Sequence, residues 1–277
     1  MRSCRLFGIS RQSVYQHQAR CANRSEELSV VKEWVTEWRR LMPRLGGRKL
    51  YNRLEGRLRE HGIKLGRDAF FSYLRVNGLL VKPVKSYTKT TFSHHRFRKH
   101  PNRFADLRLT RPSQAVVSDI TYVESDEGVH YLSLVTDGYS RKIVGHHLSR
   151  DMRTQNVVKA IRKARRHRIG NHELIHHSDR GSQYCSDEYQ QELARQGILP
   201  STTDGYDCYQ NALAERVNGI LKQEFLLYPC RTFNELKTLI DDSVRIYNQW
   251  RPHLSLGMKT PNQVHKNASC ETQLAPS

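Results

Sequence analysis

The chain has 277 residues, enough to bury a substantial core, and this length favours one large domain with a smaller companion, or two domains. Its formal charge of +19, from 46 Lys and Arg against 27 Asp and Glu, departs from the near-neutral balance typical of enzymes of small metabolites and indicates a polyanionic partner. Six scattered cysteines without a Cys-x-x-Cys pair disfavour a zinc site or disulfide framework. Because no signal peptide or long apolar run is present, we expect a soluble cytoplasmic protein.

The positive charge is concentrated in the first part of the chain. Residues 1–110 hold 25 basic and 8 acidic side chains, whereas residues 111–277 hold 21 and 19. An excess of basic residues often serves only solubility, but this asymmetry favours a nucleic-acid-binding front half.

The front half reads as helices. In "LFGISRQSVYQHQAR", Ser10 is a candidate N-cap for a short basic helix, which resembles the second half of a helix-turn-helix and is assigned to residues 1–22. An amphipathic helix is predicted from Ser25, followed by two more in "GRKLYNRLEGRLREHG" and "RDAFFSYLRVNG". Together these form a predicted basic helical DNA-binding module over residues 23–80.

Residues 81–108 are rich in turn formers and basic side chains without a lasting period, which predicts a basic linker. The spacing of His94, His95 and His100 does not match a zinc motif, and no cysteine lies nearby. We therefore interpret these histidines as solvated or in contact with phosphate.

The pattern then changes to strands. The segment "QAVVSDITYV" is apolar and contains several β-branched residues, which predicts a strand. The segments "HYLSLVTD" and "RKIVGHHLS" flank "DGYS", which predicts a hairpin. Helices are predicted in "TQNVVKAIRKARRHR" and "SDEYQQELARQG", strands in "ELIHHSD" and "ILPST", and two final helices follow. The order predicts an α/β fold with a mixed five-stranded sheet and flanking helices. We assign the core to residues 109–265 and a tail to residues 266–277.

Three acidic residues are the candidate site. Asp119 and Asp179 sit on predicted strands, and Glu215 lies on the helix "QNALAERVNGILKQEF", where Asn211, Asn218 and Lys222 share its stripe. Each Asp alone is an ordinary turn former, and the stripe alone is an ordinary solvated face. If the two strands are neighbours, the carboxylates converge and require cations, and oxygen-only ligation favours Mg²⁺ or Mn²⁺. Two such ions suit phosphodiester displacement.

The blocks "SDITYV", "TDGYSRKIVG", "HSDRGSQY", "QNALAERVNGILKQE" and "YNQWRPHLSLGMKTP" resemble catalytic-subunit transposases of two-frame bacterial insertion sequences, whose core is similar to retroviral integrase. The resemblance covers roughly residues 1–265. It implies a ribonuclease-H-like fold in which Asp119, Asp179 and Glu215 ligate two Mg²⁺, with Mn²⁺ as a substitute. It also implies that Lys222 contacts the transposon end, that water cuts one strand at each end, and that the freed 3′-OH attacks another phosphodiester.

Further candidates for DNA contact are Asn211, Asn218, Arg141, Arg251 and His253. Structural alternatives stay open for several positions: Arg251 and His253 follow a helix and can cap it, and Arg141 lies in the hairpin turn beside Asp137 and Ser140. Asp137 is interpreted as a turn residue, and His177 either orients substrate or is a hydrogen-bonded strand histidine.

The resemblance implies several partners: the DNA of the element's ends and target, an upstream-frame product or fusion partner, and further copies of the chain on DNA. It also implies that the protein is cytoplasmic and associated with the bacterial nucleoid. Gln210 stands where the family usually has Asp, and Val116 where Trp is common. Alternatives are a DNA-binding regulator with an inactive core and a structure-specific nuclease of the same fold.

Overall fold

The computed structural model of the chain describes residues 8, 10–82, 100–104, 107–170, 172–203 and 211–273. Two compact units divide the chain, Met1–Lys82 and Pro83–Ser277. Most of the predicted linker lies outside the described residues, including His94 and His95, and so does Gln210. None of the helices within the described ranges is both long and apolar enough to span a membrane.

The first unit contains three helices: α1 (Arg11–Leu41), α2 (Gly47–Glu60) and α3 (Arg67–Val76). Ser10 caps α1 as predicted, because its hydroxyl accepts from the Ser13 backbone N–H at 3.1 Å. The expected separation into two helices near Ser25 is wrong. No Gly or Pro interrupts residues 11–41, and an Arg24–Glu27 ion pair of 2.6 Å bridges the turn where the break was expected. The described part of residues 1–22 is the first stretch of this long helix.

Apolar side chains at helical spacing hold the first unit together. Leu50, Leu54 and Leu58 recur every four residues along α2 and are buried. Phe70 and Leu74 do the same on α3. Each buried side chain of this size contributes about 1.5–3 kcal/mol, so the apolar faces pack inward and the basic side chains of these helices are left toward solvent.

The second unit is built on a five-stranded sheet. Its strands are β1 (Ala115–Ser125), β2 (Gly128–Asp137), β3 (Ile143–Ser149), β4 (Leu174–Ser178) and β5 (Ile198–Thr202). They lie in the order β3-β2-β1-β4-β5. The first three strands pair antiparallel, and β4 and β5 continue parallel to β1. The predicted mixed five-stranded sheet is confirmed.

Helices flank this sheet. They are α4 (Thr154–Arg165), the short α5 (Ser182–Cys185), α6 (Asp187–Arg195), α7 (Ala212–Ile220), α8 (Phe233–Trp250) and α9 (Pro261–Gln273). Thr232 caps α8 as predicted, accepting from the Glu235 N–H at 3.2 Å. Helix α9 continues past residue 265, where the core was expected to end, because Thr260 and Gln263 cap its start and no breaker follows before Gln273.

The core of the second unit lies between the sheet and helices α4 and α6. Val116, Val135 and Val144 pack there against Ile161 of α4 and Leu193 of α6. Val116 is therefore a core residue at the position where the family commonly has Trp. Close packing also depends on one glycine of β3: a methyl group at Gly145 would overlap the Ala160 carbonyl oxygen of α4. A dense scaffold thus supports the strands that carry the candidate site.

Candidate active site

Two aspartates occupy neighbouring positions on the paths of the adjacent parallel strands β1 and β4. The β1–β4 ladder aligns Val117 with His177 and Ser118 with Ser178. The next residue on each strand path is an aspartate, Asp119 within β1 and Asp179 just beyond β4. Aligned residues of parallel strands point to the same face of a sheet, so the strand pairing puts these two aspartates on one face.

The Asp119 carboxylate is half-buried and held by two donors. Its Oδ1 accepts from the Ile120 backbone N–H at 2.9 Å, and its Oδ2 accepts from Asn218 Nδ2 at 2.7 Å. Burial, together with the charges of Asp179 and Glu215, raises the pKa of Asp119 to about 8, although both hydrogen bonds oppose this shift. The site is therefore short of positive charge.

The Asp179 carboxylate is fixed by the turn that follows β4. Its Oδ1 accepts from the Gly181 backbone N–H at 3.0 Å. A methyl group at position 181 would lie only 3.0 Å from the same oxygen, so glycine is needed for this close approach. The turn thus holds Asp179 toward β1 instead of leaving it as a solvated strand end.

Helix α7 places the polar stripe of "QNALAERVNGILKQEF" against β1. Asn211, the N-cap of α7, donates from Nδ2 to the Ser118 carbonyl oxygen at 3.3 Å, and Asn218 donates to Asp119. Between them lies Glu215, whose side chain is largely exposed to solvent. The part of the side chain that is buried, and the charge of Asp179, raise the pKa of its carboxyl group. Val217 on the opposite side is buried in the core. The helix therefore brings a third carboxylate within electrostatic range of the two aspartates.

The end of α7 changes its winding. Residues Leu221–Phe225 form a π-turn, which contains Lys222. The Lys222 side chain is exposed at its end but partly packed, and burial lowers its pKa while the charges of Asp119 and Glu124 raise it. π-Turns are frequent at functional sites, and nothing in the sequence predicted this one. The π-turn thus places the Lys222 side chain within electrostatic range of Asp119.

Three buried polar atoms beside these acids have no hydrogen-bond partner. They are Asn211 Oδ1, Asn218 Oδ1 and the Tyr184 hydroxyl. Tyr184 on α5 lies close enough for the charges of Asp119 and Asp179 to raise its pKa, after the larger effects of burial and Tyr189. Tyr184 was not among the residues predicted for the site; its position after the "SDRG" turn is the only local signal for it. Unsatisfied buried polar atoms are costly, so their clustering here indicates a place for a ligand.

The chemistry of this donor set suits a hard cation, since every charged donor is a carboxylate oxygen. Across the described ranges, no three His, Cys, Asp or Glu side chains already stand close enough together to form a metal-binding group. Repulsion between carboxylates accounts for a looser arrangement, and a cation would relieve it. The predicted metal ligands remain a prediction.

Arg251 and His253 are not placed to contact DNA. Arg251 is 2 % exposed and forms a bidentate ion pair with Glu224, with Nε–Oε2 and Nη2–Oε1 distances of 2.8 and 2.6 Å. His253 is buried against its guanidinium, 3.1 Å from Nη1. The structure assigns both residues to packing between the end of α8 and the π-turn, which corrects the expected DNA contact.

Arg141 also lies away from the carboxylates, in the β2–β3 turn. It adopts a left-handed backbone (φ 63°), and Tyr247 donates a hydrogen bond to its carbonyl oxygen at 3.0 Å. The turn lies at the end of the sheet where β1 begins, because Asp137, the last residue of β2, pairs with Val116 near the start of β1. The structure thus leaves Arg141 outside the cluster, although it does not bury the side chain completely.

The remaining candidates have structural roles. Asp137 Oδ1 and Oδ2 accept from the Ser140 and Ser113 backbone N–H groups, each at 2.7 Å, which matches its interpretation as a turn residue. His177 is fully buried, hydrogen-bonds to Ser201 Oγ at 2.9 Å and stacks on Phe104. Of the two alternatives for His177, the hydrogen-bonded strand histidine is therefore favoured.

The sequence and the fold have counterparts among known proteins. Two family models of the integrase core domain match residues 110–208 and 196–261. A simian T-cell lymphotropic virus intasome, solved in complex with the PP2A regulatory subunit B56 gamma, is 18 % identical with a TM-score of 0.52, over 83 % of this chain and 77 % of that chain. The integrase-core matches and the mixed five-stranded sheet define an enzyme of the Asp-Asp-Glu transposase and integrase class, built on a ribonuclease-H-like core.

Relatives along nearly the whole chain narrow this class. The uncharacterised 31 kDa protein of insertion element IS600 from Shigella sonnei is 33 % identical over 266 residues, which is 93 % of this chain and 95 % of that protein. Transposase InsF for insertion sequence IS3A from Escherichia coli K12 is 31 % identical over 76 % of this chain and 74 % of its own length. This chain belongs to the family of IS3-type insertion-sequence transposases. The family predicted from the sequence is confirmed.

Proposed function

We propose that this transposase uses Asp119, Asp179 and Glu215 to cut one strand at each end of its element and then to join the freed 3′-OH to target DNA. The observation that carries the proposal is the 2.7 Å hydrogen bond from Asn218 to Asp119, which fixes α7 to β1. This bond keeps Glu215, one helical turn before Asn218, beside the two aspartates. A helix that served only the core would not need such a contact.

The three carboxylates are the proposed ligands of two Mg²⁺, with Mn²⁺ as a substitute, because an all-oxygen donor set with a raised Asp119 pKa calls for hard cations. When bound, such ions help to deprotonate the attacking hydroxyl and stabilise the leaving oxygen of an in-line displacement. In the first step water breaks one P–O bond and leaves a 3′-OH. In the second, that hydroxyl attacks another phosphodiester, so no covalent enzyme intermediate is required.

The chain's own residues position the reacting groups. Asn218 and the Gly181 N–H orient the two aspartates, and Lys222 offers its ammonium group to a phosphate at the rim. The unpartnered carbonyl oxygens of Asn211 and Asn218 are acceptors for donor groups of the substrate or its water. On this proposal, DNA entry satisfies polar atoms that the protein alone leaves without partners.

The proposed partner of the first unit is also DNA. An open cavity of about 490 Å³ there is lined by Arg48, Arg67 and Arg75, with Phe71 at its wall and Asp68 paired to Arg67 at 3.0 Å. Three guanidinium groups around one groove suit phosphate contacts, which is consistent with the DNA-binding module predicted for residues 23–80. We further propose that the chain works at the nucleoid, with an upstream-frame product or fusion partner, and in several copies on DNA.

The test is strand cleavage and joining on labelled duplexes that carry the element's own ends, in Mg²⁺ or Mn²⁺. It compares the chain, its fusion with the upstream frame, and Glu215→Gln in each form. Glu188→Gln is the matched control, since Glu188 is an exposed helical glutamate on α6 outside the site. We expect Glu215→Gln to abolish both reactions while Glu188→Gln retains them.

The other results separate the alternatives. Cleavage that persists in Glu215→Gln would show that the catalytic residues are wrongly assigned. Metal-dependent nicking without preference for the element's ends would favour a structure-specific nuclease. DNA binding without turnover in any form would favour a regulator with an inactive core.

A further inference from the structure

A second cavity of the catalytic unit lies away from the carboxylates, along the outer edge of β3. Its volume is about 320 Å³, and its walls come from β3, the end of α4, and helices α8 and α9. Because β2 stands between β3 and β1, the edge is at least two strand spacings, roughly 10 Å, from the strand of Asp119. No step of the proposed reaction uses it.

The charged side chains that line this cavity are all basic. They include Lys142, Lys163, Arg166 and Arg245, with two histidines, and no Asp or Glu lines it. This is notable because residues 111–277 carry 21 basic and 19 acidic side chains, so the second half of the chain is nearly neutral. Four of these 21 basic side chains line this one cavity.

Nearby acids neutralise only part of the cluster. Asp242 pairs with Arg245 at 2.7 Å, and Asp241 pairs with His146 at 2.6 Å. Within the described residues, Lys142, Lys163 and Arg166 have no carboxylate at ion-pair distance. An anion from outside the chain is the missing counter-charge.

The electrostatics show that these groups disfavour one another. Burial and the charge of Lys266 lower the pKa of Lys142, whereas the more distant Asp137 opposes this. Burial and the charges of Lys142, His265 and Arg166 lower the pKa of His167. Like charges held together at a cost are typical of a binding site for an anion.

The sheet edge beside the cavity is closed to strand addition at its first residue. Asn248 of α8 accepts from the Ile143 N–H and donates to the Ile143 carbonyl oxygen, both at 2.9 Å. This clamp satisfies the backbone groups that a partner strand would use there, so an added β-strand does not fit the start of β3. A charged ligand that contacts side chains fits better.

We infer that this basic cavity is a second contact for the DNA backbone on the catalytic unit, which holds a stretch of duplex away from the bond being cut. The inference rests on the proposed function in that DNA is the ligand, but it concerns binding and not chemistry. Several phosphates along one duplex can bind the two places at once, and the cost of unpaired cations is then relieved.

The test measures the affinity of the full chain for end duplexes of increasing length by fluorescence anisotropy at several salt concentrations. All proteins carry Glu215→Gln so that the DNA stays uncut. Arg166→Glu is compared with Arg165→Glu, its sequence neighbour, which is also exposed but does not line the cavity. Lys163→Glu is a second cavity variant, and thermal melting verifies that each variant folds.

We expect Arg166→Glu and Lys163→Glu to weaken binding to long duplexes about tenfold and to reduce the salt slope by about one, with a much smaller effect of Arg165→Glu. On duplexes too short to reach the cavity, all variants should bind alike.

Equal losses of affinity for Arg165→Glu and Arg166→Glu at every duplex length would overturn the inference, because they would show that only the net charge of the protein matters. A changed oligomeric state with unchanged DNA affinity would also overturn it. Failure of cleavage both in the chain and in its fusion with the upstream frame would reject the proposed function and leave this comparison intact.

Discussion

Asp119 is held where its charge is disfavoured, and this has a measurable cost. Its pKa rises from 3.8 to about 8 through burial and through the charges of Asp179 and Glu215. Between these two values the folded chain binds more protons than the unfolded chain, so its stability falls as pH rises through that range. The carboxylate is therefore kept for function and not for stability.

Replacing Asp119 by Asn should stabilise the metal-free chain at pH 8 while it abolishes strand cleavage. The amide keeps the size of the carboxylate but has no charge, and each pKa unit corresponds to about 1.4 kcal/mol, so a gain on the order of 2 kcal/mol remains after solvent screening. Thermal melts in EDTA at pH 5 and pH 8 measure it. We expect the stability of the variant to fall much less than that of the parent between pH 5 and pH 8. In separate melts with Mg²⁺ in place of EDTA, we expect only the parent to be stabilised. Parallel declines in both proteins would contradict the prediction.

At the scale of elements, the sequence was most informative where one pattern determines one structure. The alternation in "VVSDITY", the "DGYS" turn and the Thr232 cap identify β1, the β2–β3 hairpin and the start of α8. The polar stripe of α7 was predictable for the same reason, because its period matches a helix whose other face is apolar.

The sequence was less informative where long-range packing decides the outcome. A run of residues without Gly or Pro joined two expected helices into α1, although Ser25 and two glutamates resembled a helix start. "YNQWRPH" suggested exposed DNA contacts, but Arg251 is buried because Glu224, 27 residues earlier, receives it. The π-turn that presents Glu224 has no local signal, and only the preceding "SDRG" turn marks the position of Tyr184.

The Arg251–Glu224 pair connects α8 to the π-turn that extends the catalytic helix, so breaking it should destabilise the fold without altering the DNA contacts. We expect Arg251→Ala to lower the free energy of unfolding by about 3 kcal/mol, because it removes the buried guanidinium that pairs with a mostly buried carboxylate. Lys237→Ala on the same helix removes an exposed pair with Asp241 and should cost less than about 1 kcal/mol. Urea titration measures both.

Salt dependence of DNA binding distinguishes this structural role from the earlier expectation. An Arg251→Ala variant that stays folded should keep the salt slope of the parent, since no phosphate contact is lost. A slope reduced by about one with little loss of stability would instead restore Arg251 as a DNA contact.

At the scale of the whole molecule, charge is distributed unevenly along the chain. Residues 1–110 carry most of the basic excess, whereas residues 111–277 are nearly balanced and include the three candidate acids. A strongly basic active-site region would compete with metal ions for the carboxylates. Separating the DNA-holding cations from the metal-binding acids avoids this conflict, and it predicts that affinity and turnover can be changed independently.

The double variant Arg48→Gln/Arg75→Gln tests that independence, since both guanidinium groups line the cavity of the first unit. We expect it to weaken DNA binding and reduce the salt slope by about two, because two phosphate contacts are lost, while kcat for strand cleavage at saturating DNA stays near that of the parent. The matched control is Arg57→Gln/Arg59→Gln on α2, which removes the same charge from side chains already paired with Glu37 and Glu55. Gel-based cleavage across DNA concentrations provides KM and kcat. If both double variants weaken binding equally, the cavity has no special role and only net charge matters, whereas a fall in kcat with unchanged KM would mean that the first unit takes part in the reaction itself.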